Sequence, residues 1–354
     1  MMMSDKIFGW LATAVVCSLL LTAGCAPLTE EAAKPEVEPK EEKPKVVVKE
    51  VKPEEEKPTV ELALKFTPQD STTYKLTMEA QRRIELEGLL SDETAFKGGQ
   101  TGNTIEMTFA QKIQRVDDNG NALAEITIEG LKYLSIIRDS TALDFDSSRE
   151  KDKNSPMAKL IGQSYTIEIA PTGKVTKVID VKQAQAALKG SSLANKAALA
   201  LLSPDIIKKR HGTLALPDAD KNQLRTGDKW SSIKTFSFGM MGSKSYEKIY
   251  TLKEIKDTNG RQIIIVEMNA IPTSDTAEQL DKEGISGLSK MFDNIETYTG
   301  RLKLDLTTGK IEKYLEKLQS EWIAVDLSAG QKDDKEPAAL KMTAIRLYHL
   351  EKID

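Results

Sequence analysis

The sequence predicts an α+β fold that is rich in β-strands, with two related lobes of curved antiparallel sheet and helices packed on one face. Three observations lead to this prediction. Apolar and polar residues alternate along many segments, these segments end in Asn-Gly or Thr-Gly turns, and the same order of segments occurs twice. The 354 residues are enough for one large domain or two ordinary ones.

The first 25 residues have the layout of a secretory signal. Lys6 precedes an uncharged apolar run over residues 7–24, and the run ends in small residues directly before Cys25. A retained transmembrane helix is the alternative, because a run of this length at about 1.5 Å per residue nearly crosses a hydrocarbon layer of ~30 Å.

The end of the apolar run carries a more specific pattern. The residues Thr22-Ala23-Gly24-Cys25 resemble the lipobox of bacterial lipoproteins, although Thr22 stands where leucine is usual. The resemblance implies that residues 1–24 are a signal peptide, that Cys25 carries the lipid, and that this N-terminal anchor holds the protein at a membrane of the bacterial cell envelope. Ala26 replaces the aspartate common in inner-membrane lipoproteins. In an organism with two membranes, an outer membrane facing the periplasm is therefore favoured.

Residues 25–58 are predicted to form a lipidated N-terminus and a disordered tether. The segment is dominated by proline, glutamate and lysine, and it contains no aromatic residue. Such a composition cannot bury enough apolar surface to offset the entropy cost of ordering. We expect an extended spacer.

The body begins after residue 58 with strand and turn patterns. Residues 104–116 alternate apolar and polar side chains and lead to Asn119-Gly120. This pair favours a type I′ turn, because both central residues of that turn need positive φ. The same pattern, an alternating segment followed by Asn-Gly, occurs again roughly 140 residues later, where residues 245–256 lead to Asn259-Gly260.

A second correspondence follows the first in the same order. Residues 165–169 turn at Gly173 and residues 302–306 turn at Gly309, each within Thr-Gly-Lys, and the first loop is one residue longer. Chance similarity between common turn residues is the alternative explanation for the repetition.

A third, weaker similarity precedes each repeated set of segments, with an aspartate shortly before Tyr74 in the first set and before Trp230 in the second. Three similarities in the same order predict a first α+β lobe with a helical segment over residues 59–212 and a second α+β lobe over residues 213–354.

Helical patterns concentrate between the predicted lobes. Residues 182–202 are rich in alanine and leucine and are interrupted at Gly190, which predicts two helices or one kinked helix. Ser203 and Pro204 predict the start of another helix that ends near Gly212. A further short helix is predicted over residues 276–294.

Composition and motifs exclude several functions. The net charge of −4 argues against nucleic acid as a partner. We predict no cofactor and no catalytic residue, because none of the usual nucleotide or nucleophile motifs occurs. We predict no metal, because the mature chain would have two histidines and no cysteine other than the lipidated one. His211 and His349 are interpreted as structural. Aspartates at residues 144–148 and 218–222 have calcium-loop spacing but lack the required glycine, so we interpret them as surface turns.

Three short motifs in the body are Phe145-Asp146-Ser147, Thr-Gly-Lys-Val at residues 172–175 and Gly-Asp-x-Trp at residues 227–230. With them the chain resembles a group of uncharacterised bacterial lipoproteins that share a domain of unknown function. The resemblance implies a lipid anchor and a β-rich body, and it brings no activity.

The preferred function is a non-catalytic binding module for an apolar or amphiphilic ligand, or for an envelope partner, held between sheet and helices. Tyr74 and Trp230 are the candidate ligand-binding residues, with core packing as the alternative for each. A structural or assembly lipoprotein without a small ligand is the second hypothesis. An acid-based hydrolase is the third.

Overall fold

The computed structural model describes residues 58–87, 98–213, 215–238, 242–273, 293–326 and 338–353. The strands are β1 Val60–Glu61, β2 Ser71–Glu87, β3 Gly99–Val116, β4 Ala122–Ile137, β5 Ser140–Asp146, β6 Ser164–Ile169, β7 Val175–Ile179, β8 Gln223–Leu224, β9 Lys229–Ser237, β10 Ser243–Thr258, β11 Arg261–Pro272, β12 Asp293–Asp305, β13 Lys310–Asp326 and β14 Ala338–Lys352. The α-helices are α1 Val181–Ala186, α2 Leu193–Leu201 and α3 Pro204–His211.

One twelve-stranded antiparallel sheet dominates the described part of the chain. Its strands lie in the order β7-β6-β4-β3-β2-β14-β13-β12-β11-β10-β9, and β5 pairs with β4 beside this path. The predicted β-rich α+β class is therefore confirmed. The strands of the two predicted lobes belong to this one sheet, and β2 pairs with β14 where they meet.

The strand order repeats along the sheet. The meander β7-β6-β4-β3-β2 and the meander β13-β12-β11-β10-β9 run in the same direction, with β14 between them. Each matched hairpin also carries a β-bulge near its turn, between Ile113 and Arg115 in β3 and between Leu252 and Glu254 in β10. The strand order and the bulges thus match the two halves of the sheet in the same order as the repeated sequence motifs do.

The sheet is strongly curved. In a flat sheet, β9 and β13 would lie about 19 Å apart, at roughly 4.8 Å for each of four strand spacings. Instead, Lys234 of β9 places its Nζ 3.2 Å from the Oε2 atom of Glu316 on β13. The second half of the sheet therefore curls until β9 approaches β13. We call the face inside this curl, which bears Leu76, Met107 and Leu350, the inner face.

The two Asn-Gly turns differ in structure. Asn259 and Gly260 have φ values of 52° and 77°, as a type I′ turn requires. The type I′ prediction is wrong at the first hairpin, where only Gly120 of the pair has positive φ. There the loop spans residues 117–121, and the Asp117 carboxylate accepts the backbone N–H groups of Asn119 and Asn121 at 2.9 and 2.8 Å. This local side-chain bonding stabilises a longer loop.

Both Thr-Gly-Lys turns form as predicted. Gly173 and Gly309 have φ values of 78° and 68°, and β6 and β7 are joined by one residue more than β12 and β13. Another segment packs closely against each glycine. A Cβ on Gly173 would lie 2.6 Å from the Thr213 carbonyl oxygen, and a Cβ on Gly309 would overlap the backbone of Lys65. Glycine is needed at both turns for its conformation and its small size.

The predicted helices between the lobes are confirmed. Gly190, with φ of 113°, separates α1 from α2. The Ser203 side chain caps α3 by accepting the N–H of Ile206, and the Gly212 N–H donates to the Lys208 carbonyl where the helix ends. Helix α1 contacts β6, α3 contacts β7, and α2 packs against α3 and the 3-10 turn Pro156–Leu160. The helix predicted over residues 276–294 falls almost wholly outside the described residues.

Candidate functional site

An open cavity of about 250 Å³ lies on the inner face, where β2, β3 and β14 meet the end of β9. We call it the arginine cavity. Its lining joins polar residues to an apolar wall. The polar members are Gln81, Arg82, Thr101, Asn103, Ser237 and Arg346, and the others are Ala80, Gly102, Phe238, Met342 and Ala344.

The register of β2 and β14 brings two arginines to this cavity. Arg82 pairs with Ala344, and Arg346 pairs with Ala80. Cross-strand partners share a face of the sheet, so the two arginines are diagonal neighbours on the inner face, with Cα atoms roughly 7–8 Å apart. Alanine fills little volume, and the space between the arginine stems therefore stays open.

Neither arginine has an acidic partner among the residues that the structure describes. The Arg346 guanidinium donates one hydrogen bond to the Ser237 carbonyl oxygen at 3.3 Å. Burial lowers the pKa of Arg346, and repulsion from Arg82 lowers it further. The neighbouring Arg83 differs, because it points to the opposite face and its Nε lies 2.7 Å from the Oε1 atom of Glu85. Two cationic groups thus meet at the cavity, and the described residues supply neither with a counter-charge.

Aromatic packing fixes the apolar wall. The ring of Phe238 lies edge-on to Trp322, with 5.0 Å between centroids. Trp322 pairs with Met342 across β13 and β14, and both side chains are buried. The wall is therefore held by the core of the second half of the sheet, and it does not depend on a ligand for its position.

A buried carboxylate holds that core together. Glu316 accepts hydrogen bonds from Lys248 at 2.8 Å and Lys234 at 3.2 Å, and also from the hydroxyl groups of Tyr298 and Tyr314. We call these five residues the Glu316 network. Burial alone would raise the pKa of Glu316, but the two ammonium groups and the hydrogen bonds outweigh it and lower this pKa to about 2.

The network joins four strands at one point. Its members come from β9, β10, β12 and β13, so it closes the roll of the sheet. Burial, together with the charge of Glu316, raises the pKa of Tyr298 and Tyr314, which keeps both hydroxyl groups protonated as donors. By fixing β9 against β13, the network also sets the position from which β9 leads to Phe238 at the cavity.

The helices fill the inner face of the first half of the sheet. Arg210 of α3 is fully buried and donates to the Leu201 carbonyl at 3.0 Å and to the Tyr165 hydroxyl at 2.7 Å. Tyr348 of β14 donates to the Arg210 carbonyl at 2.8 Å. A ligand site was expected between sheet and helices, but the arginine cavity is lined by strands and the end of β9.

The two histidines lie in packed surroundings. His211, the last residue of α3, lies 2.6 Å from the Tyr165 hydroxyl and packs edge-on against Phe109. Burial lowers its pKa well below the ordinary value, and the Arg210 charge lowers it further. His349 lies on β14, and burial also lowers its pKa. Both imidazole groups are therefore neutral at pH 7.

The structure places Tyr74 and Trp230 apart from the arginine cavity. Tyr74 is buried on β2 and lines a separate space of only about 40 Å³, beside His211. Trp230 stacks on Tyr250, with 5.6 Å between ring centroids, and donates its indole N–H to the Ala215 carbonyl at 3.2 Å. The burial of Tyr74 and the stacking of Trp230 are both typical of core packing. Cys25, the predicted lipid attachment site, lies outside the described residues.

The aspartate runs take part in local bonding. Arg149 binds the carboxylates of Asp144 and Asp152, and Asp146 accepts the hydroxyl of Ser148 at 2.7 Å. Among the residues that the structure describes, no cluster of acidic, histidine or cysteine side chains has the arrangement of a metal site.

Sequence reasoning did not identify Arg82 and Arg346. Their pairing depends on the contact between β2 and β14, which are far apart in the chain. A weak signal exists at Arg346, because the alternation in residues 342–350 puts this cation on the same face as buried Met342 and Leu350.

Comparisons with known proteins identify no family. No family model matches the chain, and no curated protein matches it. Among solved structures, one described as lipid-protein interactions in lipovitellin matches with a TM-score of 0.39 and 10% identity. The match covers 82% of this chain and 26% of that chain, so this chain spans about a quarter of its length. At this distance the likeness carries no weight for function.

No helix in the described ranges has both the length and the apolar character needed to cross a membrane.

Proposed function

We propose that this protein is a non-catalytic binding module that holds an amphiphilic ligand in the arginine cavity, and that a lipid on Cys25 anchors it in the bacterial cell envelope. The observation that carries the binding proposal is the lining of the cavity. Phe238, Met342 and Ala344 form an apolar wall opposite polar groups of β2 and β3. Such a combination of apolar surface with a few converging polar groups is typical of ligand sites.

The size of the cavity supports a particular mode of binding. Its volume of about 250 Å³ is slightly below the roughly 300–1,000 Å³ of common ligand pockets. It therefore suits the polar group and first methylene groups of an amphiphile, with the rest of the molecule outside the cavity.

Filling the cavity is expected to weaken ligand binding strongly. Ala80 lies between Asn103 and Arg346 in a row across β3, β2 and β14, so Ala80→Phe would place a ring in the open space. We expect the neutral dye N-phenyl-1-naphthylamine to bind the unaltered protein with increased fluorescence, and Ala80→Phe to weaken this binding at least tenfold. The urea midpoint of each protein shows whether the variant remains folded.

Equal dye binding by a folded Ala80→Phe variant would refute the cavity as the site. If the unaltered protein bound neither the dye nor alkyl compounds that displace it, the binding proposal would fail and the assembly hypothesis would replace it.

The proposed anchor makes its own prediction. Removing the Cys25 thiol by Cys25→Ser prevents lipidation and, with it, the cut before residue 25. The variant should therefore lack the mass of the acyl groups and keep the mass of residues 1–24. Intact mass after expression in bacteria measures both changes, with Cys17→Ser, at the other cysteine of the chain, as the control that should be lipidated and cut. Equal intact mass for Cys25→Ser and the unaltered protein would contradict the assignment.

A further inference from the structure

We infer that the arginine cavity selects amphiphiles with a carboxylate or phosphate head group, which Arg82 and Arg346 bind together. This inference rests on the proposed function and specifies its ligand. It begins from the two guanidinium groups, which are the charged side chains among the described lining residues. Cross-strand register places both on one face, and alanine partners leave the space between them open.

The carboxylates of Glu316 and Glu85 already bind other groups and do not pair with Arg82 or Arg346. On β13, the inner-face carboxylate with a described side chain is Glu316, and its oxygens already accept from two lysines and two tyrosines. On β2, Glu85 lies on the opposite face with Arg83. The described structure therefore supplies the arginine pair with no anion. Arg346 is partly buried and Arg82 is exposed, so the contact of a bound anion with Arg346 is the less screened of the two.

The donors also suit an oxygen anion. A guanidinium carries five N–H donors, and the hydrogen bond to the Ser237 carbonyl occupies one donor of Arg346. That bond orients the group while other donors remain for a bidentate contact. Asn103 flanks the same row, and its amide can add a neutral donor.

The apolar wall is the reason to expect an alkyl tail on the bound anion. Phe238, Met342 and Ala344 lie in the same lining as the arginines. A free inorganic anion would leave this wall exposed to water, whereas an alkyl chain attached to the head group covers it and removes apolar surface from water. Charge and apolar contact thus favour the same molecule.

Competition for the bound dye tests the inference with matched tails. Octanoate, octyl phosphate and 1-octanol each displace N-phenyl-1-naphthylamine from the full chain, and inorganic phosphate serves as the tailless anion. We expect the unaltered protein to prefer octanoate and octyl phosphate over octanol by at least tenfold, and inorganic phosphate to compete weakly. The double variant Arg82→Gln/Arg346→Gln should lower the preference below threefold, with each competitor measured against the dye affinity of the variant itself.

Arg83→Gln is the matched control, because it removes the same charge from the neighbouring position on the opposite face. It should leave the preference intact. If octanol competed as well as octanoate in the unaltered protein, or if Arg83→Gln lowered the preference as much as the double variant, the inference would be overturned while amphiphile binding stood. If none of the alkyl compounds bound, both the inference and the proposed function would fail.

Discussion

Replacing Glu316 by glutamine is expected to lower the free energy of unfolding by about 3–5 kcal/mol. Glu316 and Lys248 are both buried, with a side-chain exposure of 6% for the glutamate and 1% for the lysine. The amide would leave the Lys248 ammonium without its counter-charge in a low-dielectric interior. Urea unfolding at pH 7 measures the loss.

A matched control shows whether the loss of stability depends on the burial of the ion pair. Glu351 pairs with Lys313 at 3.3 Å, but both side chains are more than two-fifths exposed. Glu351→Gln should therefore cost less than about 1 kcal/mol. Replacing both buried charges, as in Lys248→Met/Glu316→Leu, should cost less than Glu316→Gln alone, because no uncompensated charge remains at that pair. Similar losses for Glu316→Gln and Glu351→Gln would contradict the role of the network.

The same carboxylate predicts an acid dependence of stability. Its pKa is lowered from 4.5 to about 2 by folding, so the folded state binds its proton less readily than the unfolded state. The stabilisation is complete above about pH 4.5 and is lost as the pH falls towards 2. The stability difference between the unaltered protein and Glu316→Gln should accordingly shrink by about 3 kcal/mol over this range.

Gly309→Ala is expected to destabilise the protein more than an ordinary glycine substitution at positive φ. Gly309 has φ of 68°, and its added Cβ would overlap the backbone of Lys65. The Lys65 N–H donates to the Gly309 carbonyl at 3.3 Å, so the clash would also displace the segment that contains buried Leu62. Left-handed alanine costs about 1–2 kcal/mol, and overpacking adds about 1–3 kcal/mol.

Gly260→Ala isolates the clash. Gly260 also has positive φ, 77°, but nothing lies within 4 Å of its added Cβ. Thermal and urea unfolding should show a loss of about 1–2 kcal/mol for Gly260→Ala and a clearly larger loss for Gly309→Ala. Equal losses would mean that the segment at Lys65 is not packed against this turn.

Local elements of the fold were predictable because local chemistry determines them. The Asn259-Gly260 turn, the two Thr-Gly-Lys turns and the cap at Ser203 all follow from residues adjacent in the chain. The loop at Asn119 was predicted less well, since the Asp117 side chain bonds to two backbone groups and stabilises a longer connection.

Long-range features could not be predicted in the same way. The merging of the two halves into one sheet depends on β14 pairing with β2 and β13, and alternation alone does not choose a strand's neighbours. The buried network did leave one signal. Lys248 alternates with buried Tyr246 and Tyr250, which puts a lysine on an apolar face and implies a buried acidic partner. Only the fold identifies that partner as Glu316.

The central claim is that the arginine cavity holds an amphiphile, and native mass spectrometry of the full chain tests it most directly. The protein would be purified from its bacterial host in mild detergent and compared with Ala80→Phe prepared in the same way. The account predicts one non-covalently bound amphiphile on the unaltered protein and its loss from Ala80→Phe. An unaltered protein without such a ligand, or equal occupancy of both proteins, would contradict it.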